Sequence, residues 1–173
     1  MPASYTPKTR GAMAHEHSHS QTVETNTTAA EATVADVLAQ KGADIFAVKP
    51  LDTIKHAVEL MRDNRIGIVL VKDAQDALVG VLSERDIVRQ LADTPGQTLP
   101  KTVADLMTRE IETATSQEQL VSVLRRMTDG RFRHMPVIDD GTLVGLISIG
   151  DVVSYRLAAL EYEALKLKQL IVG

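Results

Sequence analysis

Val79-Gly80-Val81-Leu82-Ser83-Glu84-Arg85-Asp86-Ile87-Val88 returns later in the same chain as Val144-Gly145-Leu146-Ile147-Ser148-Ile149-Gly150-Asp151-Val152-Val153. Gly, Ser and Asp recur in register, so the chain is built from a duplicated unit. The duplication reaches upstream. Thr33-Val34-Ala35-Asp36 matches Thr102-Val103-Ala104-Asp105, and Ile54, Ala57, Val58 and Met61 return as Leu120, Val123, Leu124 and Met127, an apolar stripe at helical spacing in each copy. An apolar run follows each helix, Ile66 to Val71 and Met135 to Ile138. Each run closes on a turn rich in Asp, Lys72 to Asp76 in the first copy and Asp139-Asp140-Gly141 in the second, whose Asp-Gly step suits a tight hairpin. The quoted block then begins as a strand and ends as a helix. With a short extended lead-in near Phe46 to Val48 or Ile111 to Thr113, each copy reads as β-α-β-β-α. The expectation is an α+β fold of two such units related by a pseudo-two-fold axis. The sheets pack face to face with helices outside, since a small repeat cannot cover its own sheet.

At 173 residues, 44% of them hydrophobic, the chain has material for one compact domain or two small ones. Aromatics make up only 3%, so Val, Leu, Ile, Ala and Met must fill the core. The absence of Cys excludes a disulfide framework, a thiolate zinc site and a cysteine nucleophile, and it fits a reducing compartment. A net charge of −4 argues against bulk attraction to nucleic acid or anionic membrane, and no apolar run approaches the length of a membrane span. A cytoplasmic protein is expected, with an organelle as the alternative.

Residues 1–31 are rich in Ser, Thr, Ala, Gln and His, with Val23 as the only branched aliphatic side chain. Such a segment cannot offset its ordering entropy and is read as a disordered tail. Its hydroxyl content with Lys8 and Arg10 suits a mitochondrial leader, which Glu16, Glu24 and Glu31 oppose; Met13 is an alternative start. His15, His17 and His19 are read as solvated, since a metal site needs prearranged ligands, and no metal is expected. The first repeat is placed at 32–92, a surface linker bearing Pro95, Gly96 and Pro100 at 93–100, the second repeat at 101–156 and a helical extension at 157–173. Leu157, Leu160, Leu167, Leu170 and Ile171 on that extension either cover their own domain or join two copies as a homodimer.

The paired Gly-hydrophobic-hydrophobic-Ser-x-x-Asp blocks, the stretch Met127-Thr128-Asp129-Gly130-Arg131-Phe132-Arg133-His134-Met135-Pro136-Val137 and the Thr-Val-Ala-Asp openings resemble a tandem pair of cystathionine-β-synthase-type (CBS) domains, a Bateman module, over about Thr33 to Val153. Within that family the sequence is similar to small stand-alone CBS-pair proteins of bacteria and plant organelles, which share the Ser83-Glu84-Arg85-Asp86 and Ser148-Ile149-Gly150-Asp151 forms. The resemblance implies an adenine-nucleotide sensor that takes AMP, ADP, ATP, NAD(H) or S-adenosylmethionine in the cleft between repeats. It implies that Asp86 and Asp151 hold ribose, that Ser83 and Ser148 contact ribose or phosphate, and that Arg131, Arg133 and His134 lie beside the phosphates. It also implies dimerisation through the terminal helices.

The residues themselves support a site of this kind. A strand ending at Ser83 and a helix starting near Asp86 bring free backbone N–H groups and a positive dipole end to one spot, which suits a phosphate or ribose oxygen. The same Ser-x-x-Asp pattern is close to a capping box that merely finishes a helix, and capping and binding can coexist. Arg131 and Arg133 flank Phe132 by alternation, so both guanidiniums fall opposite that ring, where they would engage phosphate in bidentate fashion. His134 reads as a hydrogen-bonded structural residue or as a pH-dependent clamp. Arg125 and Arg126 read as solvated. The first copy has Gly67-Ile68-Val69-Leu70 where the second has Arg133-His134-Met135-Pro136, so the clefts are not equivalent. Arg85 and Glu84 either substitute in part for the missing clamp or form an exposed pair. Thr53 and Thr113 are further hydroxyl candidates, and Pro136 marks an edge or irregular strand position. The leading reading is a regulatory module whose ligand shifts a geometry that an unknown protein partner reads. The alternative is a ligand-independent dimerisation scaffold. No nucleophile and base pair is visible, so an enzyme is not expected.

Overall fold

The computed structural model describes residues 31–42 and 44–172. The tail expected to be disordered, with His15, His17 and His19, lies outside the described residues apart from Glu31. The elements run α1 (Val34–Lys41), β1 (Ala47–Val48), α2 (Ile54–Asn64), β2 (Ile68–Lys72), β3 (Leu78–Ser83), α3 (Glu84–Asp93), α4 (Val103–Leu106), α5 (Leu120–Gly130), β4 (His134–Asp139), β5 (Thr142–Ser148) and α6 (Ile149–Val172). In the first repeat β1 pairs parallel to β2, and β2 pairs antiparallel to β3; in the second, β4 and β5 form an antiparallel hairpin. The expected helix faces are the buried ones: Ile54, Ala57 and Met61 on α2, and Leu120, Val123 and Met127 on α5. Each large apolar side chain so buried contributes about 1.5–3 kcal/mol. The second hairpin turns on Asp140 and Gly141, at φ 48° and 77°, the backbone of a two-residue turn in which both central residues are left-handed.

The repeats exchange their leading helices. Val34 and Val37 of α1 belong to the core of the second repeat, with Leu120, Val123, Met127, Met135, Val137, Ile147 and Val152. Val103 of α4 is buried in the core of the first, with Ile54, Val69, Val71 and Leu82. The exchange is matched bond for bond. The Val34 N–H donates to the Glu118 carbonyl and that of Val103 to the Asp52 carbonyl, while Leu120 N–H donates to Ala32 and Ile54 N–H to Lys101. Leu38 then lies over Gly145 of β5, and Met107 over Gly80 of β3. Both faces of β2 are buried, as a strand covered on each side requires. The two repeats therefore cannot be cut apart at the linker without opening both cores. Thr98, fully buried with its hydroxyl on the Gln90 and Thr94 carbonyls, pins the linker itself.

One departure from symmetry has a chemical cause. Leu70 N–H donates to the Phe46 carbonyl and so zips β1 onto β2. Its counterpart in β4 is Pro136, which has no N–H to give. The second lead-in consequently pairs at a single bridge, Ala114 with Val137, one residue beyond the expected Ile111 to Thr113. Arg126 anchors it instead, donating to the Thr113 carbonyl at 2.9 Å and to Glu118 at 3.1 Å, and also to Glu112. The reading of Arg126 as solvated is thus corrected: it is a half-buried clamp, held protonated most of all by its hydrogen bond to Glu112. Replacing it by Ala should cost about 1–2 kcal/mol in denaturant melts, a range discounted for the exposure of Glu112. Leu60, which stands at this place in the first repeat, needs no such role. Among the described residues no helix is long and apolar enough to cross a membrane.

Candidate functional site

Two strand-to-helix corners, Ser83 into α3 and Ser148 into α6, carry the paired motif. In the first, the Asp86 carboxylate accepts from the Ser83 N–H at 3.0 Å and from its hydroxyl at 2.5 Å, and Ser83 Oγ accepts from the Asp86 N–H. In the second, Asp151 accepts from the Ser148 N–H at 2.7 Å, and Ser148 Oγ accepts from the Asp151 N–H at 3.1 Å. Both corners are capped helix starts, so the capping reading is realised and the orphan N–H groups there are partly satisfied.

What distinguishes the second corner is the charge gathered around it. His134 opens β4 directly across the ladder from Ser148. Burial acts first to hold His134 below its ordinary value of 6.5; Lys41 and Arg133 act the same way, outweighing Asp151 and Glu84. The imidazole is therefore neutral near pH 7. Burial raises the Asp151 carboxyl, but Lys41 and the Ser148 groups more than offset this, so it stays ionised. Because His134 is depressed in the folded chain, the stability it contributes is fully present above about pH 6.5 and lost as pH falls through the folded value. Denaturant midpoints measured from pH 7.5 to 5 should decline in that window, and His134→Gln should flatten the decline.

Two of the nearby cations, Arg131 and Arg133, have no counter-charge among the described residues. Arg131 caps α5 in the left-handed conformation, φ 56°, a backbone that is costly for a residue other than Gly. Gly130 precedes it because the Phe132 ring folds back to within 2.4 Å of where a Cβ would stand. Phe132 packs on the second core, and the Arg131 and Arg133 side chains are left exposed. Among the described residues neither guanidinium has a hydrogen-bond or carboxylate partner. Arg85, at the start of α3, reaches across from the first repeat to the Arg131 carbonyl at 3.5 Å. The Arg133 carbonyl in turn accepts from the Ile149 N–H at 2.8 Å at the start of α6, so the segments bearing three arginines meet beside a helix start, a placement that suits an anion with several oxygens.

The first cleft is different. Gly67, the counterpart of Arg133, lies against the Glu84 carboxyl group, where a Cβ would come within 3.2 Å, and Ile68 stands in place of His134. Arg65, at φ 56°, is the counterpart of Arg131. Sequence reading passed over it because the comparison began two residues later. Thr53 caps α2, accepting from the His56 N–H at 3.2 Å, and lies beside Thr102. Thr113 meets Arg126 through its carbonyl. Among the described residues no hydrogen bond joins either threonine to the charged group around Asp151. Lys41 was also missed: its Nζ lies 2.6 Å from Asp151 Oδ2.

The CBS domain model matches residues 34–93 and 103–158. The chain belongs to the CBS domain family. This CBS pair is 36% identical over 129 residues to the mitochondrial CBS domain-containing protein CBSX3 of Arabidopsis thaliana, covering 70% of this chain and 63% of that protein. It spans somewhat under two thirds of the length of that relative. The crystal structure of a CBS-domain containing protein from Agrobacterium tumefaciens superposes with a TM-score of 0.71 at 36% identity, over 73% of this chain and 94% of the other. CBSX2, solved in complex with AMP, gives 0.59 at 30% identity over 76% of this chain and 98% of that one. The expected α+β pair of CBS repeats is therefore the fold of this chain.

Proposed function

We propose that this CBS pair is a regulatory sensor of an adenine nucleotide, taken chiefly in the second cleft, and that it acts by changing shape for a protein partner rather than by catalysis. The observation that carries the reading is that Arg85, Arg131 and Arg133, without carboxylate partners among the described residues, stand on segments that meet beside the Ser148 and Asp151 corner. A phosphate would fill the place of the missing counter-charge, and a ribose would reach the free oxygen of Asp151. The similarity to CBSX2, which was solved with AMP, supports adenosine as the ligand's other half. The cleft joins elements of both repeats, so a ligand bridging them is positioned to bias their relative geometry, by no more than its differential affinity for the two states.

A homodimer through α6 belongs to the same proposal. Val152 is buried in the second core, but Leu157, Leu160, Leu165, Leu167, Leu170 and Ile171 are exposed, the last at 83%. No described residue covers them, and an apolar surface of this kind marks an interaction site. The mitochondrial location of the Arabidopsis relative supports an organelle as the alternative to the cytoplasm.

Isothermal titration with AMP, ADP, ATP, NAD and NADH tests the proposal. Micromolar or tighter binding by at least one is expected. A folded chain that gives no heat with any of them would leave the scaffold reading in its place.

A further inference from the structure

Resting on the nucleotide reading above, we infer that Lys41, which ends the leading helix of the first repeat, is the ribose-selecting residue of the second cleft. The exchange of leading helices puts α1 on β5 and α6, and this carries the Lys41 ammonium to Asp151 Oδ2.

The first cleft shows what that contact changes. There the Ser83 hydroxyl donates to Asp86 Oδ2 at 2.5 Å, so its proton is spent inside the corner. In the second cleft Lys41 and the Ser148 N–H fill Asp151 Oδ2, at 2.6 and 2.7 Å, and Ser148 Oγ accepts from the Asp151 N–H. Asp151 Oδ1 takes no hydrogen bond among the described residues, and the ammonium keeps two of its three donors. A vicinal diol needs this set: a carboxylate oxygen that accepts from the 3′ hydroxyl and an ammonium that donates to the 2′ oxygen.

The first cleft has no equivalent. Counting from the matched Thr33 and Thr102, Glu110 stands where Lys41 does, and α4 ends at Leu106. Arg109 beside it folds back onto the Ala104 carbonyl at 3.0 Å. Lys41 therefore separates the clefts by ribose chemistry, as Arg133 and His134 separate them by phosphate chemistry.

The test is calorimetric titration of the full chain, Lys41→Met and Lys41→Arg with AMP and with 2′-deoxyadenosine 5′-monophosphate. The wild-type chain should prefer AMP. Lys41→Met should lose roughly tenfold or more in AMP affinity, the effect of one hydrogen bond to a charged group. It should bind the deoxynucleotide almost unchanged, from a chain that still melts cooperatively after losing a half-exposed ion pair of about 0–1 kcal/mol, and Lys41→Arg should recover part of the affinity loss. Wild-type binding with no preference between the two nucleotides overturns the inference. So does Lys41→Met binding AMP as well as, or more tightly than, the wild type; tighter binding would make the ion pair a latch that the ligand has to break. Those results leave the nucleotide reading standing, whereas a wild-type chain silent to every adenine nucleotide removes both.

Discussion

The double substitution Arg131→Ala plus Arg133→Ala should remove adenine-nucleotide binding and leave the fold intact. Both side chains are exposed and have no partner among the described residues, so their loss strips no cap and opens no cavity. Hydrogen bonds to charged groups contribute about 1.5–3 kcal/mol each. At the lower figure, fitting for exposed groups, the pair comes to about 3 kcal/mol, more than a hundredfold in dissociation constant. Titration calorimetry alongside a thermal melt reads both quantities. The arginines make a cleaner test than the aspartates, because Asp86 and Asp151 also cap α3 and α6. An alanine there costs about 0.5–2 kcal/mol of stability whatever it does to a ligand. An unchanged dissociation constant in the arginine double variant would remove the phosphate clamp from the account.

The largest stability loss is expected at Gly80→Val. A Cβ at Gly80 would come within 2.8 Å of the Met107 sulfur and 3.1 Å of the Thr108 carbonyl oxygen. The sulfur can swing away. The carbonyl cannot, because it accepts from the Val81 N–H at 3.0 Å in the bridge that ties the start of the second repeat to β3. Overpacking against fixed backbone costs about 1–3 kcal/mol, and the lost bridge adds to it, so the loss should reach about 3 kcal/mol in urea melts. Gly145→Ala is the comparison. Its neighbour at 2.7 Å is the end of the Leu38 side chain, which can rotate, so it should cost about 1 kcal/mol. Equal losses at the two glycines would mean that the Thr108 bridge carries no weight.

Much of this architecture is legible in the sequence because duplication prints it twice. The helical stripes at Ile54 and Leu120, the Asp140-Gly141 turn and the Ser-x-x-Asp corners each have a local cause, so a local pattern reveals them. The exchange of leading helices has none. Thr33 to Asp36 and Thr102 to Asp105 look the same whether each helix covers its own repeat or the other, and only long-range packing decides. For that reason Lys41 escaped notice: it stands far from Asp151 in the chain and lies beside it only through the exchange. Arg126 was misread for a related reason. Its place on α5 looks solvated until Pro136 is seen to withhold the donor that would otherwise fix the lead-in strand. Within the site, the charge cluster at Arg131 and Arg133 was visible as composition and alternation. That the Arg85 guanidinium reaches the Arg131 carbonyl of the other repeat was not visible, because sequence shows which repeat a residue belongs to and not what lies across from it.

The central claim is that the second cleft holds an adenine nucleotide between Asp151 and the three guanidiniums. A crystal structure of the full chain grown with AMP tests it most directly. The account predicts density for one nucleotide with its ribose on Asp151 and Lys41 and its phosphate among Arg85, Arg131 and Arg133. AMP bound only at Asp86, or a second cleft left empty at saturating nucleotide, would contradict it.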